Sequence, residues 1–398
     1  MDYQSRLNQV VVNTPPSGIR KYFDLLGDDY ISFGVGEPDF PTPESIRKPA
    51  LEELSTGRIP YTSNAGIPRL RELICKFLKE RYDLDYPSID NILITVGASQ
   101  AIDLAFRAIL NPGDEVIMHE PSYVAYAPSI ELAGGVPVRV PTYAKDGFRL
   151  RADVLKAAIT PKTKAVLIAF PTNPTGAVME RKHLEALAQV VCDADLLVVS
   201  DEIYAELTFD GKQHCSIASL PGMFERCIVL NGFSKAFSMT GWRLGYAAGP
   251  DEIIGAMRKV HQLTMLCAPT TSQVAGVIAL EDGKATDWAD MRAMHDEYEQ
   301  RRILMMDGFN ALGLTCHEPK GAFYVFPDIR STGLLCEEFC DRLLASQKVV
   351  CIPGTAFGEL GEHHIRCCYA TSQDDIAEGM RRIGMFMQEL RGMDTILD

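Results

Sequence analysis

Between residues 90 and 280, short runs of aliphatic and β-branched residues alternate with longer stretches whose apolar positions recur every third or fourth place. Asn91 to Val96 predicts a strand, Gly97-Ala98-Ser99 a turn and Gln100 to Leu110 a helix. Further strands are expected at Glu115 to His119, Val136 to Val140, Lys164 to Phe170, Leu196 to Ser200, Arg226 to Leu230 and Leu244 to Ala248. Helical patterns fill Tyr123 to Ala133, Ala152 to Ile159 and Glu180 to Asp193. Such alternation predicts an α/β fold with a mostly parallel central sheet sandwiched by helices. Beyond residue 285 the pattern changes to a charged helix, Asp290 to Asn310, short strands at Ala322 to Phe326, Val349 to Ile352 and His364 to Cys368, and a last helix, Gln373 to Leu390. This divides the chain into a large unit at 41–285 and a smaller α+β unit at 286–398. Residues 1–40, rich in Gly and Pro, join the smaller unit as an N-terminal arm.

Composition adds exclusions. The 398 residues are 46% hydrophobic and 23% charged, which supplies a sizeable core in an ordinary globular protein. A net charge of -14, from 53 acidic and 39 basic residues, argues against nucleic acid or an anionic membrane as partner. The start, Met1-Asp2-Tyr3-Gln4-Ser5-Arg6, has no basic segment leading into an apolar one, and no apolar run is long enough to span a bilayer. Eleven cysteines scattered through apolar segments fit free buried thiols in a reducing, cytoplasmic setting. Neither Cys367-Cys368 nor Cys336 with Cys340 has the second half of a zinc site, so no metal is expected.

In open α/β sheets ligands sit at the carboxyl ends of the strands, so chemistry is sought in the turns that follow them. Lys235, in Asn231-Gly232-Phe233-Ser234-Lys235, directly follows a strand. A solvated loop lysine is the ordinary reading; the other is an ε-amine placed to form a Schiff base with an aldehyde. Asp201 ends an apolar run, where a carboxylate either caps a helix or holds a ring nitrogen protonated. Asn173 is bracketed by Pro171 and Pro174, which suits a rigid loop or an aimed amide. Ala98 and Ser99 offer backbone N–H groups at a helix start, a site that favours phosphate. Arg243, eight residues after Lys235, is a second phosphate contact or a surface ion pair. Tyr123 stacks on a flat ring or fills core. Arg366, inside a predicted strand, grips a carboxylate or forms a structural salt bridge. Gly34-Val35-Gly36-Glu37-Pro38 lacks the third glycine of a dinucleotide fingerprint.

The order of these features resembles the fold type I pyridoxal-phosphate (PLP) dependent aminotransferases of class I/II over essentially the whole chain. The matching segments are Gly36-Glu37-Pro38-Asp39-Phe40, Tyr61 with Asn64-Ala65-Gly66, Val96-Gly97-Ala98, Asn173-Pro174-Thr175-Gly176, Ser200-Asp201-Glu202-Ile203-Tyr204, Ser234-Lys235-Ala236-Phe237 with Gly241-Trp242-Arg243, and Ile365-Arg366. The resemblance implies that Lys235 holds PLP covalently and later moves the Cα proton, and that Asp201 keeps the ring nitrogen protonated. It places Tyr204 and Asn173 at the cofactor's phenolic oxygen and Tyr123 on its face. It assigns Ala98, Ser99 and Arg243 to the phosphate, and Tyr61 to the phosphate of a neighbouring subunit, hence a homodimer. Arg366, Asn173 and the backbone of Gly36 would hold the substrate carboxylate.

Three departures stand out against the family pattern. Gly232 replaces a serine that often binds phosphate, Tyr123 replaces a common tryptophan, and Ser99 stands where an aspartate-specialised branch carries a lysine. The expected activity is transfer of an amino group from an aromatic or broadly neutral L-amino acid to a 2-oxo acid such as 2-oxoglutarate. N-acetyl-LL-diaminopimelate or aspartate transamination, or a cystathionine-type β-lyase reaction, are the alternatives on the same fold.

Overall fold

The computed structural model describes residues 3–14, 18–19 and 29–397; much of the expected N-terminal arm, at 1–2, 15–17 and 20–28, lies outside the described residues. The twelve strands among these described residues are numbered in chain order, beginning with β1 (Ile31–Ser32). The main sheet is built from β2 (Ile92–Val96), β3 (Glu115–Glu120), β4 (Val136–Pro141), β5 (Thr163–Ala169), β6 (Leu197–Asp201), β7 (Cys227–Gly232) and β8 (Leu244–Ala248). Its order is β2-β8-β7-β6-β5-β3-β4, and only β8 runs antiparallel to its neighbours. The strands read as continuous apolar runs because both faces are covered. In β5, Val166 and Ile168 point into one core while Ala165, Leu167 and Ala169 point into the other.

The smaller part holds β9 (Tyr324–Val325), β10 (Val349–Val350), β11 (Ile352–Pro353) and β12 (Ile365–Cys368). β11, β12 and β9 form an antiparallel sheet, and β1 pairs in parallel with β10. The helices Ala289–Ala311 and Gln373–Leu397 pack against each other beside it.

Several boundaries differ from the sequence expectation. Gly97-Ala98-Ser99 is the first turn of the helix Gly97–Ile109, and the helix expected from Tyr123 is confined to Tyr126–Leu132. The strand expected at Ala322 to Phe326 shrinks to β9 because Ala322 takes a left-handed backbone, φ 58°, that no strand tolerates. Val349 to Ile352 splits into β10 and β11. The helices Glu44–Ser55, Pro68–Tyr82, Asp251–Thr264 and Thr270–Ala285 were not anticipated. Among the described residues no helix is long and apolar enough to cross a membrane.

Candidate active site

The carboxyl ends of the parallel strands open into a cavity of about 580 Å³. Asp201 is the last residue of β6, Asn173 follows β5, Tyr123 follows β3, and Lys235 follows β7. All four line the cavity, with Ala98, Ser99, Tyr204 and Arg243 from the same side and Gly36 and Arg366 from the other. Tyr61 is not among them; its side chain is 81% exposed on the outside of the chain.

The turn carrying Lys235 is anchored by its neighbours. Phe233 and Phe237, one helical turn apart, are buried with their ring centroids 5.3 Å apart, which leaves Lys235 facing the other way, into the cavity. Its Nζ donates to the Gly36 carbonyl at 2.8 Å and lies 5.8 and 5.4 Å from the ring centres of Tyr204 and Phe323. Burial disfavours the ammonium and lowers its pKa to about 8. A neutral amine is therefore within reach near physiological pH, which an ordinary loop lysine does not offer.

Asp201 is buried, and burial raises its carboxyl to about 6. Two donors oppose that cost: the Tyr126 hydroxyl at 2.8 Å on Oδ2 and the Ile203 backbone N–H at 3.2 Å on Oδ1. The second bond is a local turn contact; the first comes from a residue the sequence reading passed over. A cationic ring nitrogen brought to this carboxylate would stabilise its charged form.

At the opposite end, Gly97 has φ 72°, and a Cβ there would come within 2.7 Å of Arg243 Nη2. The guanidinium thus lies against the helix start, anchored by one bond from Nη1 to the Thr240 carbonyl at 3.0 Å. It is exposed and engages no carboxylate among the described residues. Backbone N–H groups at the start of Gly97–Ile109, beside this guanidinium, are an arrangement that would suit a phosphate. Gly232 has its own reason: a Cβ would sit 2.8 Å from the Leu244 carbonyl of β8, so the strand packing leaves no room for a side chain.

Arg366 is 2% exposed, yet it meets no carboxylate among the described residues. Nη1 donates to Asn173 Oδ1 at 3.1 Å and Nη2 to the Gly34 carbonyl at 2.5 Å, while Nε has no partner. A buried cation without a counter-ion is costly. A carboxylate offers the missing charge and acceptors. The bond from Arg366 also orients the Asn173 amide, leaving its Nδ2 as the end that can donate elsewhere.

The helix start beside Arg243, the buried acid, the low-pKa amine and the unneutralised arginine are the groups that PLP and an amino acid would require. Residues 28–383 match the family described as aminotransferase class I and II. The chain belongs to that family. It is 45% identical over 376 residues to the aspartate aminotransferase of Pyrococcus abyssi, covering 94% of this chain and 96% of that one. The aromatic-amino-acid aminotransferase 2 of Thermococcus litoralis is 44% identical over 376 residues, with 94% and 96% covered. Among solved structures, the aromatic aminotransferase of Pyrococcus horikoshii OT3 superposes with a TM-score of 0.89 at 43% identity, covering 94% of this chain and 99% of that one. The aminotransferase thus has the PLP-dependent fold type I architecture expected from its sequence.

Two residues of the site were missed in the sequence. Tyr126 falls one helical turn after Tyr123, a spacing that could have flagged it. Tyr324 lies in Gly321-Ala322-Phe323-Tyr324-Val325, where nothing local separates it from core. It lines the cavity, and its hydroxyl is 2.8 Å from that of Tyr204.

Proposed function

We propose that this aminotransferase takes the amino group from an aromatic or other neutral L-amino acid and passes it to a 2-oxo acid such as 2-oxoglutarate, with PLP as cofactor. The observation that carries this is the meeting of Lys235, Asp201 and the unneutralised Arg366 around one cavity. Bound PLP supplies an electron sink for the pair left when the Cα proton departs. Lys235 would hold the cofactor and move that proton, a task suited to an amine whose pKa burial has lowered. Asp201 holds the ring nitrogen protonated, Tyr204 and Asn173 donate to the phenolic oxygen, and Tyr123 covers the ring face. Ala98, Ser99 and Arg243 hold the phosphate. Arg366, with Asn173 and the backbone of Gly36, fixes the substrate carboxylate.

The neutral donor is favoured by the rest of the wall, where Ile19, Ile102 and Val124 are apolar and Glu37 is acidic. An acid there opposes a second carboxylate on the donor. Aspartate is the second reading, favoured by the activity named for the Pyrococcus abyssi relative. The exposed Tyr61 suits a homodimer in which it reaches the neighbouring subunit's phosphate. Residues 41–285 are read as the cofactor-binding unit and 286–398, with 1–40, as the smaller one. Eleven cysteines with no disulfide among the described residues suit a cytoplasmic location.

Lys235→Ala tests the core of this proposal. It should abolish turnover and the visible absorbance of bound cofactor; a variant that keeps both would remove Lys235 from the chemistry. Single-turnover spectra of the PLP form against a panel of amino acids then rank the donors, and a response to aspartate above that to phenylalanine or tyrosine would favour the second reading.

A further inference from the structure

Tyr324 stands between the two working ends of the site. It belongs to β9, and in the β9–β12 register it faces Cys368. Arg366, two residues earlier on β12, is therefore its diagonal neighbour on the same face. Its ring lies 4.6 Å from the Arg366 guanidinium carbon, and Phe357 lies 4.9 Å from the same atom. The aromatic faces hold the guanidinium without using its N–H groups, which leaves those not already given to Asn173 and Gly34 for a carboxylate. The hydroxyl reaches the other way. It is 2.8 Å from the Tyr204 hydroxyl, and a Cβ on Gly36 would collide with it.

A phenol has a single proton to donate. If Tyr204 gave its proton to Tyr324, none would remain for an acceptor in the cavity. The guanidinium beside the Tyr324 ring makes Tyr324 the readier donor of the pair, since a nearby cation favours the charge that develops on the oxygen. The Tyr204 proton is then free to turn toward the cavity.

We propose that Tyr324 is a positioning residue with two functions: its hydroxyl donates to Tyr204 and directs the Tyr204 proton into the cavity, and its ring backs Arg366 for carboxylate recognition. This role rests on the aminotransferase site proposed above, and it couples the smaller sheet to a group in the turn that follows β6.

The test uses the PLP-loaded protein. A hydrogen bond to the phenolic oxygen stabilises its anion and lowers the pH at which the bound cofactor's visible absorbance titrates. Tyr324→Phe should move that titration upward by roughly half a unit to one unit. In a Tyr204→Phe background the same change should add nothing. Affinity for 3-phenylpropanoate, a monocarboxylate probe followed by calorimetry, should stay within about twofold in Tyr324→Phe and weaken roughly threefold or more in Tyr324→Leu. A Tyr324→Phe protein that titrates with the wild type, or shifts equally when Tyr204 is absent, overturns the hydroxyl role. Unchanged probe affinity in Tyr324→Leu overturns the ring role. Should the leucine variant fail to fold, the two phenylalanine variants still decide the hydroxyl role, and Phe357→Leu, whose ring packs on the same guanidinium, takes its place: unchanged probe affinity there overturns the aromatic backing. A wild type that neither binds PLP nor exchanges amino groups removes the proposed function and this role with it. A wild type that does both beside an unshifted variant removes this role alone.

Discussion

Asp201 ends a strand in the middle of the main sheet and already holds two hydrogen-bond donors, whereas Arg366 sits in the smaller sheet and holds two oxygens but no counter-charge. Both are buried and both face the same cavity. The main-sheet wall is therefore prepared in advance, with a carboxylate whose charge is partly supported. The opposite wall is left incomplete, with a cation that no carboxylate among the described residues neutralises. A site of this kind separates holding a permanent group from sampling a transient one: the supported acid suits a resident cofactor, and the unsupported arginine suits a substrate that must come and go.

The comparison breaks most visibly at Asp201. Asp201→Asn should lower kcat by on the order of a thousandfold with little change in KM. In the cofactor-free protein the same change should stabilise. Burial raises the folded-state carboxyl to about 6, so the native acid loses stability as pH climbs from its ordinary range through 6. The variant should therefore melt at a higher temperature than the wild type at pH 8, and the gain should shrink as the pH falls toward 4. A lower melting temperature at pH 8 would mean that the acid is supported by more than its two donors.

Lys235 joins the walls through its bond to Gly36, and its pH dependence measures how far the site is desolvated. Only the neutral amine captures the cofactor's aldehyde. Capture of PLP by the cofactor-free protein should rise roughly tenfold per pH unit and level off near the lowered pKa of about 8. A rate still climbing at pH 10 would place the amine in water. The smallest effect belongs to Arg366→Lys, which keeps the charge and loses the fork. It should lower kcat/KM roughly tenfold, through KM, while the absorbance of bound cofactor stays unchanged. An unaltered KM would show that the bidentate geometry is unused.

The same contrast explains what could be read in advance. β2, β5, β6 and β7 are legible because both faces of each strand are buried and the apolar run is unbroken. Lys235, Asp201 and Asn173 follow from them, since the fold brings strand ends to one edge. The strands of the smaller part were placed but not bounded, because at two to four residues they are too short for alternation to fix their ends. Glu44–Ser55 carries an internal proline, and Thr270–Ala285 is rich in small residues that hide its apolar face. Tyr324 was illegible, and Tyr126 marked only by its spacing from Tyr123, for another reason. Each acts through a hydroxyl that meets a distant residue, and in sequence a buried tyrosine reads as core.

The corner built around Gly97, Gly232 and Gly245 carries a different kind of information. A Cβ at Gly97 would be strained by its left-handed φ of 72° and would press on Arg243, one at Gly232 would meet the backbone of β8, and one at Gly245 the backbone of Gly97 and Ala98. None of the three performs chemistry, and each is defined by the side chain it lacks. In a scan of all single substitutions these positions should tolerate as little change as Lys235. Drift in this protein is consequently confined most tightly where its residues are plainest, and a new specificity would have to arise along the opposite wall.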